Sequence, residues 1–239
     1  MKTIHKPYGP YEKYFKRFLD LLCCLLTMIV FWWLYLIVAI LVRVKLGSPV
    51  LFTQYRPGKD EQIFKLYKFR TMTDSRDGKG ELLPDKIRLT SFGKMLRAVS
   101  LDELPEVINI IKGDMSIIGP RPQLVRDMVF MTKEQRRRHQ VRPGLSGLAQ
   151  VNGRNTITWE NKLSWDLKYI DRITFLEDIK IIFKTIEKVF KRTDINREGT
   201  VSDLDFGYYL LLNGEITREE YDKKQEEAKK IIDKVQRNS

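Results

Sequence analysis

The chain has 239 residues, 43% of them hydrophobic and 31% charged, enough for one good core plus appendages. Forty-three Lys and Arg against 31 Asp and Glu give a net charge of +12, which calls for an anionic partner: nucleic acid, an acidic membrane surface or a phosphorylated substrate. The two cysteines, Cys23 and Cys24, are adjacent and exclude a disulfide framework or a metal cluster of their own, and His5 and His139 leave no Ser/His or Cys/His nucleophilic pair.

Residues 1–17 are polar and basic. From 21 to 42 every residue except Thr27 is apolar. Such a run matches the roughly 20 residues that cross a ~30 Å hydrocarbon layer. It is too long for a signal-peptide core, and no small-residue cleavage site follows. Lys2, Lys6, Lys13, Lys16 and Arg17 precede it, and Arg43 and Lys45 follow. Positive flanks stay on the cytoplasmic side, so this symmetry favours a helix that enters and leaves on one face, against anionic lipid. The run contains neither Pro nor Gly, so a bend has no evident local cause.

Gly47-Ser48-Pro49 ends the anchor. Residues 50–55 and 62–72 read as strands joined by turn chemistry at 56–60, a hairpin. Phe64, Leu66, Lys68 and Arg70 share one face of the second strand, which begins apolar and ends cationic. Residues 74–86 form a charged, Gly-containing loop able to order over a substrate, and 87–98 a helix.

The central stretch is RAVSLDELPEVINIIKGDMSIIGPRP, residues 97–122. Ser100 and Glu103 have capping-box spacing; Leu104, Val107, Ile108 and Ile111 recur at helical period; Gly113 is placed to stop the helix. Asp102 and Glu103 then lie in a first turn, between Arg97 and Arg121. Acidic residues are ordinary there. Two carboxylates between cations, beside a Gly/Pro turn, also suit a metal-assisted site for a phosphate ester.

Helices are expected at 123–131 and 132–140, the second with a Thr132/Gln135 capping box. Arg136, Arg137 and Arg138 read as a solvated or membrane-facing run. In 141–147 the glycines beside Arg142 would let backbone N–H groups approach an anion. QVNGRN, with Arg154, is a tight Asn-Gly turn. Trp159, Leu163, Leu167 and Ile170 mark a helix. Ile179, Ile182, Phe183, Ile186 and Phe190 then line one face of another, with lysines over the rest. Core packing and lipid-interface seating weigh equally for that stripe. Residues 194–239 read as a charged tail with a helical hairpin; NGEITREEY is similar to short oligomerisation modules, which admits a homo-oligomer.

SLDELPEVINIIKGDMSIIGPRP closely resembles the core motif of the bacterial sugar transferase family, the monotopic polyprenyl-phosphate phosphoglycosyl transferases. LFTQYRPG, YKFRTM, VRPGLSGLAQVNGRN and DLKYI extend the resemblance over about residues 11–192. It implies transfer of a sugar 1-phosphate from a UDP-sugar to polyprenyl (undecaprenyl) phosphate, with release of UMP. It implies Asp102 as nucleophile and Mg²⁺ ligand, with Glu103 supporting metal or proton handling. Arg154 is the firmest phosphate ligand, then Arg97, Arg121 and Arg142, then Lys68 and Arg70. The family's membrane helix is re-entrant and broken at a Ser-Pro pair, where Trp32-Trp33 stands here.

The expected fold is α+β and mostly helical: a membrane anchor (1–46), a catalytic part (47–193) with a small β-hairpin and amphipathic interfacial helices, and a helical tail (194–239). The expected place is the cytoplasmic face of a bacterial inner membrane, with no nucleic-acid partner. Two alternatives remain: a glycosyl transferase with a carboxylate base and a ternary complex, or a basic non-enzymatic membrane adaptor. The sugar is not specified.

Overall fold

A computed structural model describes residues 5–153, 158–191 and 204–237. The fold is mostly helical α+β with two small two-stranded sheets. A π-turn at Tyr11–Phe15 leads into α1 (Lys16–Leu46), the one described helix long and apolar enough to cross a membrane. Most of its large side chains are exposed, Ile29, Trp32 and Val44 among them.

α1 is bent. Phe31 leaves helical geometry, with φ −110° and ψ 16°. The cause is local after all. Thr27 Oγ1 donates to the Cys23 carbonyl at 2.8 Å, and Trp33 Nε1 to the Val30 carbonyl at 3.1 Å. Side-chain donors that engage the backbone ladder bend helices without proline.

Both limbs of the bent helix pack on the same body. Before the bend, Cys24 is buried with Leu66, Val107, Ile110 and Met115. After it, Val38, Val42 and Leu46 are buried with Phe69 and Leu96. Burying each of the aliphatic side chains contributes about 1.5–3 kcal/mol. Arg17 adds hydrogen bonds to the carbonyls of Ile110 (2.7 Å) and Ile111 (3.2 Å) at a helix C-terminus, where a cation is favoured.

β1 (Leu51–Pro57) and β2 (Ile63–Phe69) form the expected antiparallel hairpin, with Thr53 opposite Tyr67. The predicted helix over 87–98 is two pieces, α2 (Asp85–Arg88) and α3 (Ser91–Ala98), because Thr90 caps α3 by accepting from the Gly93 N–H. α4 spans Glu106–Lys112 and stops at Gly113, whose φ of 96° is the left-handed stop. The Ser100/Glu103 capping box does not form. Ser100 itself has φ 56°, and Leu101–Glu103 is a separate 3-10 turn.

β3 (Ser116–Ile118) pairs in parallel with β4 (Gly144–Ser146). The glycines of 141–147 serve this pairing. A Cβ on Gly144 would lie 2.0 Å from the Gly119 nitrogen, and one on Gly147 2.1 Å from the Gly119 oxygen. Gly144→Ala is expected to cost about 1–3 kcal/mol by forcing the strands apart. Thermal unfolding in detergent should show it, and an unchanged midpoint would refute the close-packing account.

The helices expected at 123–131 and 132–140 are shorter: α5 (Val125–Met128) and a 3-10 run at Gln135–Gln140, the latter behind the predicted Thr132/Gln135 box. The arginine run is not solvated throughout. Arg136 pairs with Glu61 and Arg137 with Asp171, but Arg138 is buried against Asp166 of α7 (Trp159–Asp171). A single-turn helix, α6 (Leu148–Val151), precedes α7.

α8 (Phe175–Lys191) turns Asp178 and Ile181 inward and leaves Phe175, Leu176, Phe183 and Ile186 exposed. Asp178 accepts from Tyr11 and Tyr169 hydroxyls, each at 2.7 Å, and pairs with Lys16. This ties α8 to the start of the anchor. Phe190's side chain lies outside the described residues. The tail forms the predicted hairpin, α9 (Phe206–Leu212) and α10 (Arg218–Arg237). Phe206, Ala228 and Tyr221 pack with Phe130 and Trp159.

Candidate active site

A cleft of about 1380 Å³ runs along the body. Lys68, Arg70, Arg97, Asp102, Glu103 and Arg121 all line it. Each reaches it for a local reason. Lys68 extends from β2, which Asn109 of α4 clamps by accepting from the Tyr67 N–H (3.0 Å) and donating to the Lys65 carbonyl (2.7 Å). Arg97 lies on α3, whose Gly93 backbone presses so closely on Thr71 that a Cβ would sit 1.8 Å from its carbonyl. Arg97 Nε then donates to Thr71 Oγ1 at 3.0 Å. The main chain bearing Arg121 is gripped from two sides: Arg138 donates to the Arg121 carbonyl (2.6 Å) and Arg56 to the Pro122 carbonyl (3.0 Å).

The carboxylates divide their work. Glu103 Oε1 accepts from Lys68 Nζ at 2.7 Å and Arg121 at 3.0 Å. Burial would raise its pKa, but those two cations outweigh burial and hold it well below the usual range. Asp102 is 8% exposed and, among the described residues, receives no hydrogen bond or ion pair. Burial first, then the charge of Glu103, raises its pKa against the pull of Lys68, Arg97 and Arg121. It is a carboxylate left open to the cleft and ringed by cations.

Glu106 was not among the predicted site residues. It is 3% exposed and pairs with Lys68 at 3.0 Å. Its spacing, four residues after Asp102 and three after Glu103, was the available signal: that interval puts residues on one face. Burial pushes its pKa up to about 7, against the attraction of Lys68. A carboxyl that holds its proton more tightly folded than unfolded favours the fold below its unfolded pKa of about 4.5, and that contribution is lost as pH rises through about 7. Glu106→Gln should therefore flatten the fall in stability between pH 5 and pH 8, by about 1–3 kcal/mol. Unfolding midpoints at the two pH values would check it, and parallel wild-type and variant curves would count against it.

Arg142 stands apart. Its Nε donates to the Gly113 carbonyl at 2.8 Å, beyond the end of α4, and it does not line the cleft. Arg70 lines the cleft but is spent on structure. It donates to the carbonyls of Met72 (2.7 Å) and Ser48 (2.6 Å) and pairs with Asp74 (2.6 Å). Arg154 lies outside the described residues.

A divalent cation fits Asp102 best. Mg²⁺ takes oxygen ligands, keeps water and shares phosphate oxygens, so one open carboxylate suffices on the protein side. Glu103 has one oxygen committed to Lys68 and Arg121, leaving only the other to contribute. Among the described residues no group of three or more His, Cys, Asp or Glu could hold a metal alone.

The chain is similar to known proteins over most of its length. The chain is 48% identical over 182 residues to the "Uncharacterized sugar transferase EpsL" of Bacillus subtilis, covering 76% of this chain and 87% of that one. It is 38% identical over 186 residues to the "UDP-glucose:undecaprenyl-phosphate glucose-1-phosphate transferase" of Klebsiella pneumoniae, covering 74% of this chain and 40% of that one. It is 35% identical over 193 residues to the "UDP-N-acetylgalactosamine-undecaprenyl-phosphate N-acetylgalactosaminephosphotransferase" of Aeromonas hydrophila, covering 76% and 45%. Residues 11–192 match the family described as bacterial sugar transferase, and the chain belongs to that family.

Proposed function

We propose that this sugar transferase moves a sugar 1-phosphate from a UDP-sugar to undecaprenyl phosphate, at the start of polysaccharide assembly. The names of the relatives support the reaction. The observation that carries it here is the open Asp102 carboxylate among Lys68, Arg97 and Arg121, in a cleft that the membrane anchor also lines through Cys23, Thr27 and Tyr35. The donor's two phosphates meet cations, and the acceptor's chain meets the apolar helix.

Asp102 Oδ attacks the β-phosphorus. The bond from that phosphorus to the bridging oxygen breaks, its electron pair leaves with UMP, and the sugar phosphate stays as an acyl phosphate on Asp102. A phosphate oxygen of the acceptor then attacks the same phosphorus and Asp102 departs as the carboxylate. Lys68, Arg97 and Arg121 offset the negative charge that would otherwise keep a carboxylate from a diphosphate. Mg²⁺ held by Asp102, with the second Glu103 oxygen, would supply further neutralisation when bound. Glu103 in its ionised form fixes Lys68 and Arg121 in place, a positioning role. UMP release in nanodiscs, dependent on UDP-sugar, undecaprenyl phosphate and Mg²⁺, tests the reading; release from no donor would end it.

We propose a re-entrant anchor on the cytoplasmic face. A straight helix advances about 27 Å over the 18 residues from Cys24 to Val42, nearly the bilayer core. Yet both residues pack on one body, so the bend at Phe31 supports entry and exit on the same side. The exposed stripe of α8, flanked by Lys180 and Lys184, supports a second seat in the headgroup layer beside the entry point. In a Cys23→Ser/Cys24→Ser background, single cysteines at Lys13 and Lys45 should label equally from the cytoplasmic side with an impermeant reagent. Labelling of one from each side would show a spanning helix.

A further inference from the structure

We infer that the C-terminal hairpin completes a subsite for the sugar of the donor, with Leu204 as the wall that selects among sugars. The inference rests on the UDP-sugar reading above. The residues matching the family end at 192, and the hairpin lies beyond them. Leu204 and Asp205, which open the hairpin, nevertheless line the same cleft as Asp102. They are held there firmly. Trp159 Nε1 donates to the Leu204 carbonyl at 3.1 Å, and the Phe206 N–H donates to Asp127 Oδ1 at 3.0 Å. The Phe206 and Trp159 rings lie 5.0 Å apart, and a Cβ on Gly207 would sit 2.4 Å from Phe130.

The chemistry of this part of the cleft differs from the rest. The part lined by α1 is apolar, and the part around Asp102 is cationic. Here Asp205 follows Leu204 in the chain and Lys162 lies over Trp159, which holds the Leu204 carbonyl, so an acceptor and a donor stand near the Leu204 side chain. A sugar's hydroxyls both donate and accept, so they suit a lining that offers both. A pyrimidine would want an open aromatic face. Trp159 does not offer one: Lys162 Nζ covers it at 4.5 Å and Phe206 packs beside it.

The test uses the full-length protein in nanodiscs with four donors: UDP-glucose, UDP-galactose and their two N-acetylhexosamine counterparts. Leu204→Trp should lower kcat/KM for the preferred donor about tenfold and change the ratio between donors about fivefold or more. Leu204→Ala should bring the ratios closer together. The Leu204 main-chain bond to Trp159 survives both changes, and Leu204 is 39% exposed, so both variants should fold. Inhibition by UMP should stay within about twofold of wild type, since UMP lacks the sugar. Donor ratios unchanged in both variants would overturn the subsite alone. UMP inhibition weakening in step with donor KM would assign this end to the nucleoside and also overturn it. A wild-type chain releasing UMP from none of the four would overturn the donor reading, and the subsite with it.

Discussion

Asp102→Asn is expected to abolish sugar-phosphate transfer while leaving the fold in place. The amide has nearly the volume of the carboxylate. Among the described residues no partner holds the carboxylate, so none loses a bond. What disappears is the anionic oxygen that forms the bond to phosphorus. Loss of a nucleophile costs far more than loss of a charge contact, so turnover should fall at least about 10³-fold. Lys68→Met should weaken the reaction through donor binding and through a released Glu103, with turnover still measurable. The distinguishing readout is mass. Wild type mixed with donor and quenched before acceptor is added should carry a sugar-phosphate adduct at Asp102, and UMP should appear in equal amount. Asp102→Asn should carry none. A ternary-complex glycosyl transferase would show no adduct in either protein, and UMP would wait for the acceptor. A membrane adaptor would tolerate the substitution altogether.

Much of this molecule was readable from local pattern. Hydropathy gave the anchor, turn chemistry the β1–β2 hairpin, and the Asn213-Gly214 turn with its Thr217 cap the tail hairpin. The grouping of Asp102 and Glu103 with Lys68, Arg97 and Arg121 also followed from motif and strand period. The misreadings share a cause: long-range partners changed what a local pattern would do alone. Glu103 has capping spacing from Ser100, but Lys68 and Arg121 offer it charge-assisted bonds that a backbone N–H does not match. Arg138 sits in a run of three arginines that looks solvated. Its fate is set by Asp166, 28 residues later. The α8 stripe could have been core or interface. Asp178, bonded to Tyr11 and Tyr169, fixes which side faces in: Ile182 packs against the core while Phe183 and Ile186 are exposed. Arg142 is drawn off by the free carbonyl at Gly113, a helix-end need that the motif does not advertise.

The Arg138–Asp166 pair yields the largest expected effect on stability. Both side chains are 1% exposed, and Arg138 donates to Asp166 Oδ2 through Nε at 2.9 Å and through a terminal nitrogen at 2.6 Å. Burial raises the Asp166 pKa, and Arg138 works against that rise. Arg138→Met would leave that carboxyl buried without its cation, so a loss of about 3–5 kcal/mol is expected. The double variant Arg138→Met/Asp166→Leu removes both charges and should recover most of that loss, since buried pairs replaced by apolar side chains are often neutral or better. Activity should not recover with it. Arg138 also donates to the Arg121 carbonyl at 2.6 Å, and that bond sets the main chain from which Arg121 faces Glu103 and the donor phosphates. The double variant should therefore unfold near the wild-type midpoint yet show a raised donor KM. A double variant recovering both would reduce the pair to a structural plug. A single Arg138→Met variant as stable as wild type would mean that water or another cation already reaches Asp166.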